Sequence, residues 1–340
     1  DLVFSVGSRL SIRQVGYNYQ TWARAAYVMV NDVDAEELKK PSVHADMRIH
    51  ADAKDLLETL EAYLEQEQES GALPMPVFDG GKGLEGMDWR ETCRMWKETY
   101  PVVLPKHMNH GDDEPANVYA LVKELSSRLK EGQITVVGNG SACVAGGHGY
   151  MIKKGQRFIT NSAIASMGYD LPAAIGACMA DHSQDIILLT GDGSIQMNLQ
   201  ELQTIIHHQM PIKIFLINNG GYHSIRQTQK NFFGEPLVGI GADSHDLSFP
   251  DMEKLAWAYG YPYVKACHNS QLGEAIVRTL SMEGPAICEV FVSTDQNFEP
   301  KSSAKRLPDG TMVSPPLEDL SPFLPEEEMD RNMIIPRIKG

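Results

Sequence analysis

The sequence predicts an α/β chain: a doubly wound parallel sheet, preceded by part of a smaller Rossmann-like α/β domain. Short apolar runs recur, at residues 2–6, 134–137, 186–189 and 212–217, and each ends in a polar tip: GSR, GNGS, GDGS and NNGG. Runs of this length bounded by glycine read as buried strands. Between them lie segments with apolar residues at helical spacing, such as Leu199, Leu202, Ile205 and Ile206. The 27 positions from Asp192 to Asn219 match one strand–helix–strand unit with its turns. Strands joined in that way are parallel neighbours, so their tips share one sheet edge.

Residues 1–65 read as β-loop-β-α: a strand at 2–6, a second at 27–30 ending in Asn31-Asp32, and a helix through Leu56, Leu57 and Leu60. An acid at a strand end suits ribose hydroxyls. With no GxGxxG, turn and capping chemistry by the same residues is an equal reading. Residues 66–114 form a linker, with an acidic run at 65–69 expected to be a solvated helix end and a Gly- and Pro-rich loop at 71–86. The helix in DWRETCRMWKETYP spaces Trp89, Cys93, Trp96 and Tyr100 as core residues.

The main domain spans residues 115–300. A helix beginning near Asn117, with Val118, Leu121 and Leu125, is expected to stop at Gly132. The strand at 134–137 then leads into Gly138-Asn139-Gly140-Ser141, either a plain turn or a phosphate-binding tip. TNSAIASMGYDLPAAIGACMA follows, with Ala173, Ala174, Gly176 and Ala177 opening a closely packed helix. Beyond residue 246 a helix, a strand near Tyr263, another helix and a strand at 286–292 complete the sheet. The tail at 301–340 is rich in proline.

At the sheet edge, Asp192 offers a carboxylate and Asn219 a carboxamide. Neighbouring glycines let the backbone approach an anion closely. Oxygen ligands of this kind suit Mg²⁺, which takes one or two carboxylates together with substrate phosphates. The expected site is therefore a diphosphate held through a metal.

Composition narrows the classes. The chain has 340 residues, is 42% hydrophobic and carries a net charge of −15. That balance argues against nucleic-acid and membrane-surface partners, which call for basic patches. No apolar run approaches the ~18 residues of a membrane span. Five scattered cysteines without a CxxC pair read as reduced thiols in a cytoplasmic setting. His148, His207, His208, His223 and His245 lack metal-ligand spacing and read as ordinary hydrogen-bonding or solvated residues, with His223 nearest the site.

GDGS, an amphipathic helix and a hydrophobic strand ending in NN together resemble the signature of thiamin-diphosphate-dependent enzymes. GSRLSIRQVG, NDVDAEEL, HADAKDLL and HSIRQTQKNFFG resemble, within that family, the acetolactate synthase group. The resemblance implies that Asp192 and Asn219 bind Mg²⁺ through side chains and Gly221 through its carbonyl. It implies that Gly193, Ser194 and Ser224 meet the diphosphate through N–H groups. Asn139, Gly140, Ser141, Gly191, Tyr222 and His223 complete the cofactor's surroundings. Met167 takes the place of the apolar residue that bends thiamin diphosphate, with Ala165 and Met167 backbone on the pyrimidine; a core methionine is the competing reading.

In the same group the domain containing residues 1–65 holds FAD, and Gly7, Arg9, Asp32 and Asp52 are the implied contacts. Ile225 stands where simple decarboxylases carry a protonating Glu, which favours transfer of the acyl carbanion to a second carbonyl. Gln227 and Gln229 flank Thr228, where acetolactate synthases have an acceptor-recognising Trp. Arg226 is expected either to meet a carboxylate or phosphate or to form a surface ion pair. The implied substrates are a pyruvate-like 2-oxoacid and a carbonyl acceptor, in a homodimer or homotetramer with interfacial sites. For the tail at 301–340 the resemblance implies a place over the site, packing on a partner subunit being the equal alternative. The family's catalytic Glu lies in an N-terminal pyrimidine-binding domain without counterpart here, so the chain is expected to be a piece of a longer protein.

Overall fold

The computed structural model describes residues 1–72, 81–161, 164–307 and 309–338. It divides into two compact units, residues 1–101 with 299–340, and residues 102–298. Among the described residues no helix is long and apolar enough to cross a membrane.

The first unit holds a three-stranded parallel sheet, β1 (Leu2–Val6), β2 (Tyr27–Asp32) and β3 (Met47–His50), in the order β1-β2-β3. The first two strands lie where the sequence puts them. β3 escapes sequence reading because Met-Arg-Ile-His is four residues long and mostly exposed, so no run of apolar residues announces it. Val28 and Val30 pack with Leu10, Val15, Leu38 and Val43 as the core of this unit. A helix follows at Ala53–Glu69, capped by Asp52, whose Oδ1 accepts from Lys54 N at 2.8 Å.

The helix Trp89–Thr99 corrects an expectation. Trp89 and Cys93 are exposed, and Trp96 and Tyr100 only half-buried, so this row is not core. The two half-buried rings use their polar ends instead: Trp96 Nε1 donates to Asn332 Oδ1 at 2.7 Å, and Tyr100 Oη to Glu328 Oε1 at 2.8 Å. Those partners sit on the tail helix Glu326–Asn332. An ion pair of 2.7 Å between Arg24 Nη2 and Glu318 Oε1 adds to the tail's attachment within this unit. The boundaries differ accordingly from the expected linker: residues up to 101 group with the first unit and those from 102 with the second.

The second unit is a six-stranded parallel sheet in the order β5-β4-β6-β7-β9-β8. Its strands are β4 (Ile134–Val137), β5 (Arg157–Thr160), β6 (Ile186–Gly191), β7 (Ile212–Asn218), β8 (Tyr263–Ala266) and β9 (Ala286–Phe291). Burial alternates between two cores, as the two-residue side-chain period of a strand requires. Ile187, Leu189, Phe215 and Ile217 pack with Leu121, Leu125 and Ile276 on one face. Ile186, Leu188, Ile214 and Leu216 pack with Leu171, Ile205 and Ala256 on the other. Both faces are thus covered by helices, the reason the strands read as continuous apolar runs.

β5 is an edge strand with exposed Arg157 and no fully buried residue, and carries no such run. The helix Val118–Arg128 ends four residues before Gly132. It is capped by Asn117, whose Oδ1 accepts from Tyr119 N at 2.9 Å.

Candidate functional site

β4 pairs with β5 on one side and β6 on the other, so the chain reverses its direction of travel across the sheet between β4 and β6. At such a switch point the loops leave in opposite directions and open a crevice at the carboxyl ends of the strands. Three tips meet there: 138–141 after β4, 191–194 after β6 and 218–221 after β7.

Hydrogen bonds lock the tips together. Asn219 Nδ2 donates to Ser141 Oγ at 2.7 Å, across 78 residues of sequence. Gly221 N donates to Asp192 Oδ2 and Gly193 N to Asp192 Oδ1, both at 2.9 Å. Gly168 N donates to Ser194 Oγ at 3.0 Å, bringing the turn that carries Met167 to the same place. Two glycines are required by space. A Cβ on Gly193 would stand 2.5 Å from the Tyr222 ring, and one on Gly221, at φ +135°, 1.9 Å from the Ile240 carbonyl oxygen.

The electrostatics favour a cation. Burial pushes the Asp192 carboxyl up to about 7, against the pull of the Gly193 and Gly221 amides and of Arg226. A divalent cation would remove that penalty. Asn219 Oδ1 is buried and has no protein partner, because Ser141 fixes the amide with its nitrogen turned away. An unpaired buried acceptor of this kind costs about 1–3 kcal/mol, which a ligand relieves. The residues present therefore fit a metal with oxygen ligands.

The remaining expected residues divide by position. Ser141 and Ser194 are buried, while Asn139, Gly140 and Gly191 are half-buried along the crevice; the helix Ser141–Gly149 begins there. Ala165 sits half-buried at φ +59°. Met167 is 38% exposed and so fills no core gap. On the helix His223–Phe232, Ser224, Ile225 and Thr228 are exposed, and Thr228 Oγ1 donates to Ser224 O at 3.0 Å. Gln227 Nε2 donates to Gln296 O at 2.8 Å. Gln229 is bound on both ends of its amide to the Val238 backbone, at 2.8 Å each. His223 is buried, its Nε2 at 2.7 Å from Gln296 O, and burial lowers its pKa.

In the first unit, Gly7, Asp32 and Asp52 follow or end β1, β2 and β3, at one edge of that sheet. Gly7, at φ +59°, donates its N–H to Asn31 O at 3.1 Å, and Asp32 Oδ1 accepts from Asp34 N at 2.9 Å. Arg9 is exposed, with Nε 3.3 Å from Glu37 Oε1.

One residue of the site, Asp170, is hidden from pattern reading, and the burial of a second, Arg226, is not legible in it. Asp170 is fully buried below the tips and accepts from Thr190 Oγ1, from Ser194 Oγ at 3.3 Å and from Leu171 N at 3.2 Å. Burial raises its pKa. Gly138 must be glycine to admit this carboxyl, since a Cβ would lie 2.2 Å from Asp170 Oδ2. Arg226 does not lie on the surface: it is fully buried, its guanidinium faces the carbonyls of the 219–220 loop, and its ion pair is with the partly exposed Asp243. Apolar periodicity misses both because the faces they bury are polar.

A switch-point crevice of this kind is where open α/β domains take their ligands. Residues 138–290 match the family described as thiamine pyrophosphate enzyme, C-terminal TPP binding domain, and this part of the chain is a domain of that family. Over a longer span the sequence is acetolactate synthase-like. It is 29% identical to the acetolactate synthase large subunit of Cyanidium caldarium over 307 residues, which cover 88% of this chain and 48% of that protein. It is 28% identical to the isozyme 2 large subunit of Escherichia coli (strain K12) over 323 residues, 94% of this chain and 52% of that protein. With the isozyme 3 large subunit of the same organism it shares 30% identity over 281 residues, 81% of this chain and 45% of that protein. The chain spans about half the length of the curated relatives it matches.

Proposed function

We propose that this chain forms the diphosphate-binding side of a thiamin-diphosphate- and Mg²⁺-dependent enzyme. The reaction is decarboxylation of pyruvate or a similar 2-oxoacid, with transfer of the acyl group to a carbonyl acceptor. The observation that carries the reading is the buried, unpartnered Asn219 Oδ1 beside the buried Asp192 carboxyl, within the domain matched at residues 138–290. Thiamin diphosphate, when bound, supplies a carbon nucleophile for the 2-oxo carbon.

The residues of this chain have separate tasks. Asp192, Asn219 and the Gly221 carbonyl would hold the cation. The amide groups at 194 and 224 and the start of the helix Ser141–Gly149 would receive phosphate oxygens, whereas the Gly193 amide, expected to do the same, is taken by Asp192 Oδ1. Met167, with Ala165, would support the two rings. Ile225 would supply no proton where a carboxylic acid side chain could, which favours carbon–carbon coupling over aldehyde release. The exposed Thr228 leaves room for an acceptor other than a second small 2-oxoacid, and a ketosugar is the alternative it supports. FAD at Gly7, Arg9, Asp32 and Asp52, a homodimer or homotetramer and a cytoplasmic setting complete the reading.

Pyruvate turnover by the full-length protein with thiamin diphosphate and Mg²⁺, with products identified with and without added 2-oxoacids and ketosugars, tests it. A coupled product is expected. Acetaldehyde or acetate alone would replace the transferase reading by simple decarboxylation or oxidation. No turnover of any 2-oxoacid would favour a cofactor-binding subunit.

A further inference from the structure

We propose that Arg226 is the positioning residue that selects which oxygens of the 219–221 loop face the cation. The inference rests on the reading above, that Asp192, Asn219 and Gly221 hold a divalent ion.

Arg226 is the largest fully buried side chain of the described residues. Burying a guanidinium is tolerated only where it is paired and hydrogen-bonded. Its Nη1 donates to Asn219 O at 3.0 Å and its Nη2 to Gly220 O at 3.1 Å. Nη1 also lies 3.3 Å from His223 Nδ1. Nε stands 3.0 Å from Asp243 Oδ2, as an ion pair rather than a directed hydrogen bond.

The loop presents three successive backbone carbonyls, any of which a hard cation would accept. Arg226 occupies the first two with its planar fork. Among the described residues the Gly221 carbonyl accepts one bond, from the His223 amide at 3.1 Å. The oxygens left for the ion are therefore the Asn219 side chain and the Gly221 carbonyl. Asp243 balances the guanidinium charge, so a cation nearby meets a neutral pair instead of a bare positive charge.

The loop that carries Asp243 is docked by backbone as well. Gly221 and Gly241 form an antiparallel bridge, and Tyr222 N donates to Ile240 O at 2.7 Å. Lysine does not reproduce this arrangement, because its ammonium is a single point donor without the planar fork that holds two successive carbonyls side by side.

The test is a titration of the full chain with Mn²⁺ in the presence of thiamin diphosphate, reading free and bound ion by electron paramagnetic resonance. Arg226→Lys and Arg226→Met are expected to weaken Mn²⁺ about 10- to 100-fold, the usual effect of removing a group that orients metal ligands. The bound-Mn²⁺ spectrum should also broaden as the ligand set becomes mixed. Asp243→Asn, which alters a partly exposed carboxylate, should weaken Mn²⁺ several-fold and keeps the test open if an Arg226 variant does not fold.

Lys213→Met is the control. Lys213 is equally buried and also holds two carbonyls, of Met282 and Gly284, at the opposite end of β7. Its loss should lower the melting temperature and leave the Mn²⁺ dissociation constant unmoved. Folded Arg226→Lys with wild-type affinity and spectrum would overturn the proposal, as would an equal loss of affinity in Lys213→Met. Wild-type protein that binds no Mn²⁺ would overturn the metal-site reading itself.

Discussion

At the scale of single residues, the site is built by removing choices. Asn219 has its nitrogen committed to Ser141, and its oxygen is left buried without a protein partner. Asn219→Ala is expected to weaken Mg²⁺-dependent binding of thiamin diphosphate by 10-fold or more, measured by calorimetric titration. Stability without cofactor should change little, because the lost hydrogen bond and the lost unpaired acceptor offset each other.

Far from the crevice, Asp181 shows how a surface carboxylate can carry a pH dependence. Hydrogen bonds from Ser183 and Gln184 lower its pKa from 3.8 to about 2. A depressed folded-state pKa means that the native state holds the proton less tightly than the unfolded chain. The stabilisation is complete above about 3.8 and disappears as pH falls through about 2. Thermal melts of Asp181→Asn and wild type should therefore differ most above pH ~4 and converge towards pH ~2.

At the scale of elements, helices are placed by burial and then trimmed by their caps. The helix Val118–Arg128 buries Leu121 and Leu125 against Leu189 and Ile276 and is started by Asn117. The tail helix Glu326–Asn332 has a single buried residue, Met329, and depends on polar contacts from Trp96 and Tyr100. Trp96→Phe removes the bond to Asn332 Oδ1. It should raise hydrogen exchange across residues 326–332 by about 5-fold, corresponding to about 1 kcal/mol, while β6 and β7 stay protected. Equal exchange in both proteins would show that the helix does not rest on that bond.

For the whole molecule, each of the two compact units has its own hydrophobic packing, and the proposed thiamin diphosphate site lies within the 102–298 unit. Binding that favours only the native state raises stability by about 2.7 kcal/mol at a ligand concentration of 100 times Kd. Calorimetry with thiamin diphosphate and Mg²⁺ should accordingly shift the transition of the 102–298 unit upward. Asp192→Asn should abolish that shift without changing the transition measured in the absence of cofactor by a comparable amount. A shift that persists in the variant would place the cofactor elsewhere.

The sequence by itself determined the main sheet and the tips of β4, β6 and β7, because each depends on local chemistry. Continuous apolar runs mark strands buried on both faces, and glycine with Asn or Asp marks where they end. Spacing alone put Asp192 and Asn219 on adjacent strand ends, where the structure has them. Only the tertiary structure decided what has no local signature. β3 and β5 are short, exposed edge strands, Trp89 and Cys93 face outward, and the polar residues Asp170 and Arg226 are fully buried. A buried polar group is stable only through its partners: Ser194 and Thr190 for Asp170, and Asp243 with the 219–220 carbonyls for Arg226. Those partners come together only when the chain has folded.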